Sequence, residues 1–487
     1  MAGPADREKD QCPESTILAM DDPSKPSQEY APAECWPMAR KVWVTFVICF
    51  YTFVVYCGSS IVVPSYGYMM LQYRISEEKV SLMLAIYIVG YAVGPLVFGP
   101  VSEIAEIGRN PPYIISFTLF VIISSLIWVL DSFPAILVFR FLQGFFGSPG
   151  LTTGGATLQD MFGARSAPIA YIFWVLGFNC GPALGPLIAT FAVHEDWRWP
   201  FWEIIAMSAP LLLVLLFLLP ETNPETLSIH GARRASGSHR LLRGPKAFLM
   251  QVTAMRALPT QMVKDRFLDA LVKPPEITLK DPAMAFCSLY TSLIYAIYYS
   301  FFEAFPLTYP NVYGFSADST CLLYASMLVG CVIAAAMYGY YYTRYTWHTG
   351  LDSSNLELRL IPAIPATVLV TVGLFLYAWT SRASVHWIVP TIGVSIYSGA
   401  TFVVFQALLC YIPLVYPRYV SSLFAAADFA RSTLAAGFVM FSRPMYLSIG
   451  IQKAVSILAG LSVLGILGVL VLFFYGANLR ARSTFTA

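Results

Sequence analysis

The chain has 487 residues, 57% hydrophobic and 12% charged, with a net charge of +2 and a mean hydropathy of +0.64. Soluble domains carry roughly a quarter charged residues, so the composition excludes a water-soluble globule, and the near-neutral charge excludes a nucleic-acid partner. The 9 cysteines fall mostly in apolar runs without a C-x-x-C pair, so neither a metal site nor a disulfide framework is expected.

Residues 1–42 are polar and Pro-rich (Pro4, Pro13, Pro23, Pro26, Pro32, Pro37), which reads as a disordered tail without a secretory signal peptide. Backbone amides in hydrocarbon must pair within the protein, so apolar runs of about twenty residues read as membrane-spanning helices. Twelve follow: 43–66, 80–101, 112–130, 134–158, 167–192, 201–219, 283–305, 319–342, 360–379, 386–412, 421–445 and 451–475. The expected fold is all-α integral membrane, with six-helix bundles at 43–219 and 283–475 related as parallel repeats. A long loop, 220–282, divides them, and 476–487 forms a short tail. In sequence the repeat is faint: Pro64 is expected to end the first span as Pro306 ends the seventh.

Most Lys and Arg fall in the tails, the long loop and the turns on their side of the membrane; the other side holds only Arg74, Lys79, Arg198, Arg382, Arg443 and Lys453. The positive-inside rule then places both termini in the cytoplasm. Within the loop, Val263, Phe267 and Leu271 recur at helical spacing, with Lys264, Asp265 and Asp269 between them. Either an amphipathic helix on the inner leaflet or a flexible tether fits that pattern. Arg233-Arg234-Ala235-Ser236 suits a basophilic kinase acting on Ser236, although such short matches are often accidental.

Between the second and third spans runs Gly99-Pro100-Val101-Ser102-Glu103-Ile104-Ala105-Glu106-Ile107-Gly108-Arg109-Asn110. A tight turn with charges at its edge can latch one bundle onto the other, with Glu103 at a helix N-terminus of the opposite bundle and Arg109 on Asp160. In the fourth span, Arg140 either snorkels to the outer interface or faces a cavity or partner, with Gln143 one turn later on the same side. The fifth span carries Gly177, Gly181 and Gly185 as a smooth ridge, with Pro182 and Pro186 suited to a helix that bends or seals a pathway.

These motifs resemble the major facilitator superfamily and, more narrowly, the fungal twelve-span drug:proton antiporters of the multidrug, benomyl and fluconazole-resistance type. The resemblance rests on Ser-Glu-(x)4-Gly-Arg-Asn at 102–110, Arg-Phe-Leu-Gln-Gly at 140–144 and Gly-Pro-x-x-Gly-Pro at 181–186. Trp197-Arg198-Trp199, Pro220-Glu221-Thr222 and Glu303-Ala304-Phe305-Pro306 add to it, so it covers roughly residues 40–480. It implies the major facilitator fold and an exporter driven by the proton gradient, without a cofactor.

Some relatives carry a proton on an acidic residue of span one, but 43–66 has no charge, and Pro111-Pro112 stands where many members have a basic run. The remaining proton-coupling candidates are Glu303, Asp428 and Arg431, with Arg140 as modulator. Asp428 and Arg431, three apart, read most simply as a structural ion pair. Glu303 is either hydrated near the outer interface or the titrating group. Tyr295, Tyr298, Tyr299 and Phe302 share one helical face; with Arg140, Gln143, Asn179 and Gln406 they are the substrate-cavity candidates, although dense aromatics are more often packing.

The expected function is proton-coupled export of amphipathic drugs, toxins or secondary metabolites; the alternative is an uptake permease for polyamines or another small nutrient. No Ser/His pair or nucleotide loop suggests an enzyme, and the 5 histidines lie in loops or at span ends. The expected partners are amphipathic small molecules, protons and the bilayer. A monomer in the plasma membrane is expected, with the vacuolar membrane as alternative.

Overall fold

The computed structural model describes residues 32–235, 268, 271–272, 275–346, 356–415 and 420–481, and every regular element among them is helical. Among the described residues, eleven helices are long and apolar enough to cross a membrane: Met38–Tyr73, Glu77–Glu103, Asn110–Ile127, Ser166–Ala192, Trp199–Leu218, Pro282–Tyr313, Ala317–Tyr345, Leu356–Thr380, Ile388–Val415, Val420–Ile449 and Ile451–Leu479. The fourth span supplies the twelfth crossing in two pieces, Phe133–Gly147 and then Pro149 onward to Gly163. Pro149 has no N–H for the Phe145 carbonyl, and the Ser148 hydroxyl donates to that carbonyl instead, at 2.8 Å. Gly163, at φ 60°, then turns the chain into the fifth span.

Several boundaries differ from the hydropathy reading. The first span begins at Met38, ends its regular helix at Ser60, and resumes as Tyr66–Tyr73 after a 3-10 turn that holds Pro64. Pro306 does not end the seventh span: the helix runs through Pro306 and Pro310 to Tyr313, where Gly314 at φ 69° stops it. The carbonyl of Phe302, freed by Pro306, faces the Tyr324 hydroxyl at 3.5 Å, so neighbouring packing tolerates the proline. At its start, Asp281 accepts from Ala283 N at 2.8 Å and Met284 N at 3.4 Å, with Pro282 as the first helical residue.

After span six, a helix expected as loop, Pro224–Ala235, is set by Asn223 Oδ1, which accepts from Glu225 N at 3.0 Å. Val263, Phe267 and Ser236 lie outside the described residues, as does the tail before residue 32. Cys35 is disulfide-bonded, which cysteine spacing gave no reason to expect.

The repeat that sequence hardly shows is plain in the packing. Span one packs on the helix of span five, span two on four, and spans four and six on three; seven packs on eleven, eight on ten, and ten and twelve on nine. Between the halves, span two lies along span eleven and span eight along the helix of span five. Each pairing recurs six spans later, as two parallel six-helix bundles require. An even number of crossings puts both tails and the long connecting segment at one end, the tail end.

Candidate functional site

At the tail end, Glu103 closes span two, and its carboxylate accepts from Ser422 N at 3.1 Å and Ser422 Oγ at 2.5 Å, in the opposite half. Gly99, one turn earlier, lets span two approach span eleven, where an added Cβ would lie 3.3 Å from that of Ala425. Ser102 stays in its own half, donating to Gly99 O at 2.8 Å and lying 3.4 Å from the Thr153 hydroxyl. Arg109 forks onto Asp160, with Nε–Oδ2 at 2.5 Å and a terminal nitrogen to Oδ1 at 3.2 Å. Burial opposes the charge on Arg109, but Asp160 outweighs it and holds the guanidinium above its ordinary range.

Sequence reasoning missed a partner of this turn. Glu221 accepts from Arg109 N at 3.0 Å and Asn110 N at 3.2 Å, and Thr226 donates to Ala105 O at 2.7 Å. Gly108, at φ 78°, makes that approach possible; a Cβ there would meet Glu221 Oε2 at 2.5 Å. Pro220-Glu221-Thr222 stood out as a motif, but only proximity in the fold gives Glu221 a task.

At the other end the halves are bridged by a second cluster. Arg443 of span eleven pairs with Glu77 at the start of span two, and its other nitrogen lies 3.6 Å from Glu303 Oε2 of span seven. Ser81 donates to Glu303 Oε1 at 2.8 Å. Glu303 is only 2% exposed, so it is not a hydrated interfacial carboxylate. His194 and Asp318 approach to 3.0 Å and add a further cross-half contact. Arg443 and Glu77 carried no signal beyond their charge.

Arg140 does not snorkel. It is 0% exposed and turns inward, donating to Gly58 O at 2.8 Å, Ser59 O at 2.8 Å, Met83 O at 3.2 Å and Gln143 Oε1 at 2.9 Å. Its guanidinium also lies 4.3 Å from the Tyr87 ring centre. Gln143 in turn donates to Ser124 Oγ at 2.7 Å. The first span ends its regular helix at Ser60, leaving the Gly58 and Ser59 carbonyls without later helical donors.

The glycine ridge of span five faces span one. A Cβ at Gly177 would lie 3.0 Å from Cys49 O, at Gly181 2.8 Å from Tyr56 Cβ, and at Gly185 2.8 Å from Cys57 O. The Pro182 carbonyl accepts from Ser60 Oγ at 2.5 Å, and the Pro186 carbonyl from Thr190 Oγ1 at 2.5 Å. The helix stays continuous through both prolines.

Near mid-membrane the two halves meet through tyrosines. Tyr299 contacts Ser59 Oγ at 3.1 Å and receives from Tyr91 OH at 3.2 Å, while Tyr91 and Tyr295 approach to 3.2 Å. Tyr298 donates to the Asn179 carbonyl at 2.6 Å, and Phe302 packs against Tyr298 and Tyr299. The Asn179 side chain bonds Val175 O in its own helix at 3.0 Å, and Gln406 straps to Pro168 O at 2.7 Å nearer the tail end. The expected cavity set thus divides: Tyr295, Tyr298, Tyr299, Phe302 and Asn179 meet at the centre, while Arg140 with Gln143 and, separately, Gln406 lie apart. Ser59 links the groups, with its carbonyl on Arg140 and its hydroxyl on Tyr299.

Below the tyrosines, Asp428 Oδ1 accepts from Arg431 and, at 3.2 Å, from Ser432. The Arg431 guanidinium sits among aromatic rings, 4.9 Å from the centre of Tyr295, 5.2 Å from Phe178 and 5.4 Å from Phe405, with Tyr56 OH at 3.4 Å.

A family model described as the Major Facilitator Superfamily matches residues 48–440. The chain is 36% identical over 458 residues to "MFS-type transporter pyvG" of Aspergillus violaceofuscus, covering 93% of this chain and 82% of that protein. It is 32% identical over 462 residues to "Fluconazole resistance protein 1" of Saccharomyces cerevisiae, covering 93% and 82%. Among solved structures, the proton:xylose symporter XylE shares the fold, with a TM-score of 0.63 at 15% identity over 90% of this chain and 96% of that one. Two halves packed as parallel repeats, with these matches along nearly their whole length, place the chain in the Major Facilitator Superfamily, to which it belongs.

Proposed function

We propose that the chain is a proton-coupled antiporter that exports amphipathic drugs, toxins or secondary metabolites by alternating access. The observation that carries this reading is the pair of cross-half bridges, Glu103–Ser422 at the tail end and Arg443–Glu77 with Ser81–Glu303 at the other. A ligand shifts a two-state equilibrium only through contacts that differ between the states, and each bridge exists only while its own end is shut. Closing the far end brings Ser81 of the first half onto the Glu303 carboxylate and Glu77 onto Arg443, so that Glu303 is covered beside the arginine of its own half. Opening that end withdraws Ser81 and Glu77, so the carboxylate is free to take a proton from that side.

Both termini then lie in the cytoplasm, and the far end faces outward across the plasma membrane. Arg140, wholly inside one half, positions Ser59 against Tyr299 and so connects span four to the bundle interface. Similarity to a fluconazole resistance protein supports export over uptake.

The test is a sensitivity panel in a host stripped of its own pumps, with wild type beside Arg140→Ala, Glu303→Gln and Asp428→Asn. Wild type is expected to raise tolerance to several amphipathic compounds and lower their accumulation. Lower accumulation in cells lacking the protein would instead indicate an uptake permease and overturn the proposal.

A further inference from the structure

Segments of both halves converge on one histidine at the far end. The turn between spans five and six carries His194, the extension of span one, Tyr66–Tyr73, carries Tyr68, and a short helix at the start of span eight, Ala317–Leu322, carries Asp318. His194 Nε2 lies 3.0 Å from Asp318 Oδ2 in the opposite half, and Nδ1 lies 3.3 Å from the Tyr68 hydroxyl of its own half. An ionised carboxylate only accepts, so Nε2 carries the hydrogen of the neutral ring and Nδ1 accepts from Tyr68. Ser316 fixes the other side of the contact: its side chain accepts from Ser319 N at 3.2 Å and starts the helix that presents Asp318. The two side chains are 53% and 46% exposed, so protons of the outer bath reach the ring directly.

We propose that His194 is an external-pH switch: a proton on its ring turns the hydrogen bond to Asp318 into an ion pair between the halves and holds the far end shut in acid. Imidazole is the side chain whose charge ordinarily changes between about pH 5 and 8. Protonation needs no rearrangement, because Nδ1 then donates to the same Tyr68 oxygen. The added attraction is present while the ring is charged and is lost as the pH rises through the imidazole range. The other charged groups on these segments are Glu195 and Asp196 beside His194 and Arg74 at the end of the Tyr66–Tyr73 helix. Asp196 accepts from Arg198 N at 2.9 Å, and the Arg198 side chain pairs with Asp131. Tyr66, Tyr73 and Cys321 complete the ionisable set, and phenols and thiols ordinarily titrate above this range. The inference rests on the alternating-access reading and gives its outer gate a regulator. Bath protons load Glu303 while the far end is open, and they charge His194, which favours closing it.

The experiment uses the full-length protein in lipid nanodiscs, with spin labels at the far ends of spans three and nine. Double electron–electron resonance distances are taken at about pH 5.5 and about pH 7.5. Every chain carries Glu303→Gln, which silences the buried carboxylate of that end. Exposed ion pairs contribute little, so the ratio of closed to open far ends is expected to rise about threefold on acidification. His194→Gln cannot take the charge, and its ratio is expected to stay level. His194→Lys, charged at both pH values, is expected to hold the acid ratio at both, and Asp318→Asn to lose the response with His194 intact. A response that survives in His194→Gln or Asp318→Asn, or a parent that opens and closes without responding, would overturn this inference alone. A far end that stays shut at both pH values with an amphipathic substrate present would instead end the reading on which it rests.

Discussion

Neutralising Glu103 tests the tail-end bridge with little change in shape. Its carboxylate takes two hydrogen bonds from Ser422, one from the backbone and one from the hydroxyl, at the start of the described part of span eleven. Hydrogen bonds to a charged group contribute about 1.5–3 kcal/mol and neutral ones about 0.5–1.5 kcal/mol, so Glu103→Gln gives up about 1 kcal/mol for each bond retained. Losing the charge at a helix N-terminus removes about 0.3–1 kcal/mol more. Water near this partly exposed side chain screens some of the total, leaving about 2 kcal/mol, or about thirtyfold in an equilibrium constant. Spin labels on the tail-end turns of spans two and eleven, read by double electron–electron resonance, should show the ratio of separated to closed states rise by about that factor. Ser422→Ala, which removes only the hydroxyl, should give a smaller shift in the same direction. An unchanged distance distribution for Glu103→Gln would refute the reasoning.

Three other outcomes follow from the same geometry. Arg140→Met leaves the carbonyls of Gly58, Ser59 and Met83 without their donor; destabilisation of about 3 kcal/mol or more is expected, seen as a lower melting midpoint, with export lost. Glu303→Gln should still bind substrate, but its transport should no longer follow an imposed pH gradient, as a flux assay at varied external pH would show. Gly181→Val drives a side chain into Tyr56 Cβ at 2.8 Å and the Phe53 carbonyl at 3.0 Å; overpacking of about 1–3 kcal/mol should lower thermal stability, read by a melting curve of the solubilised protein.

Much of the architecture was legible because lipid imposes a simple rule on the backbone, and runs of apolar residues report it directly. The tail-end turn was legible because its partners are side chains of unlike charge, Arg109 and Asp160, or an acid with a helix start, Glu103 with Ser422. The setting of Arg140 was not: three of its acceptors are main-chain carbonyls, which every residue possesses and no side-chain pattern marks. Pro306 misled because part of the penalty of a proline within a helix is the carbonyl it frees, and Tyr324 from another span stands at that carbonyl. The far-end cluster stayed hidden for a related reason. Glu77, Glu303 and Arg443 belong to three helices, two packed together in the second half and the third brought to them by how the halves meet. The shared face of Tyr295, Tyr298, Tyr299 and Phe302 follows from helical spacing, whereas the aromatic surround of Arg431 draws on spans five, seven and ten.

The central claim is that an inward proton gradient drives amphipathic compounds outward, and reconstituted vesicles test it most directly. With the protein's tail end facing the bath, a fluorescent amphiphile should accumulate inside when the lumen is made acidic, and a protonophore should abolish that accumulation. Accumulation that persists after the gradient has collapsed would contradict the account.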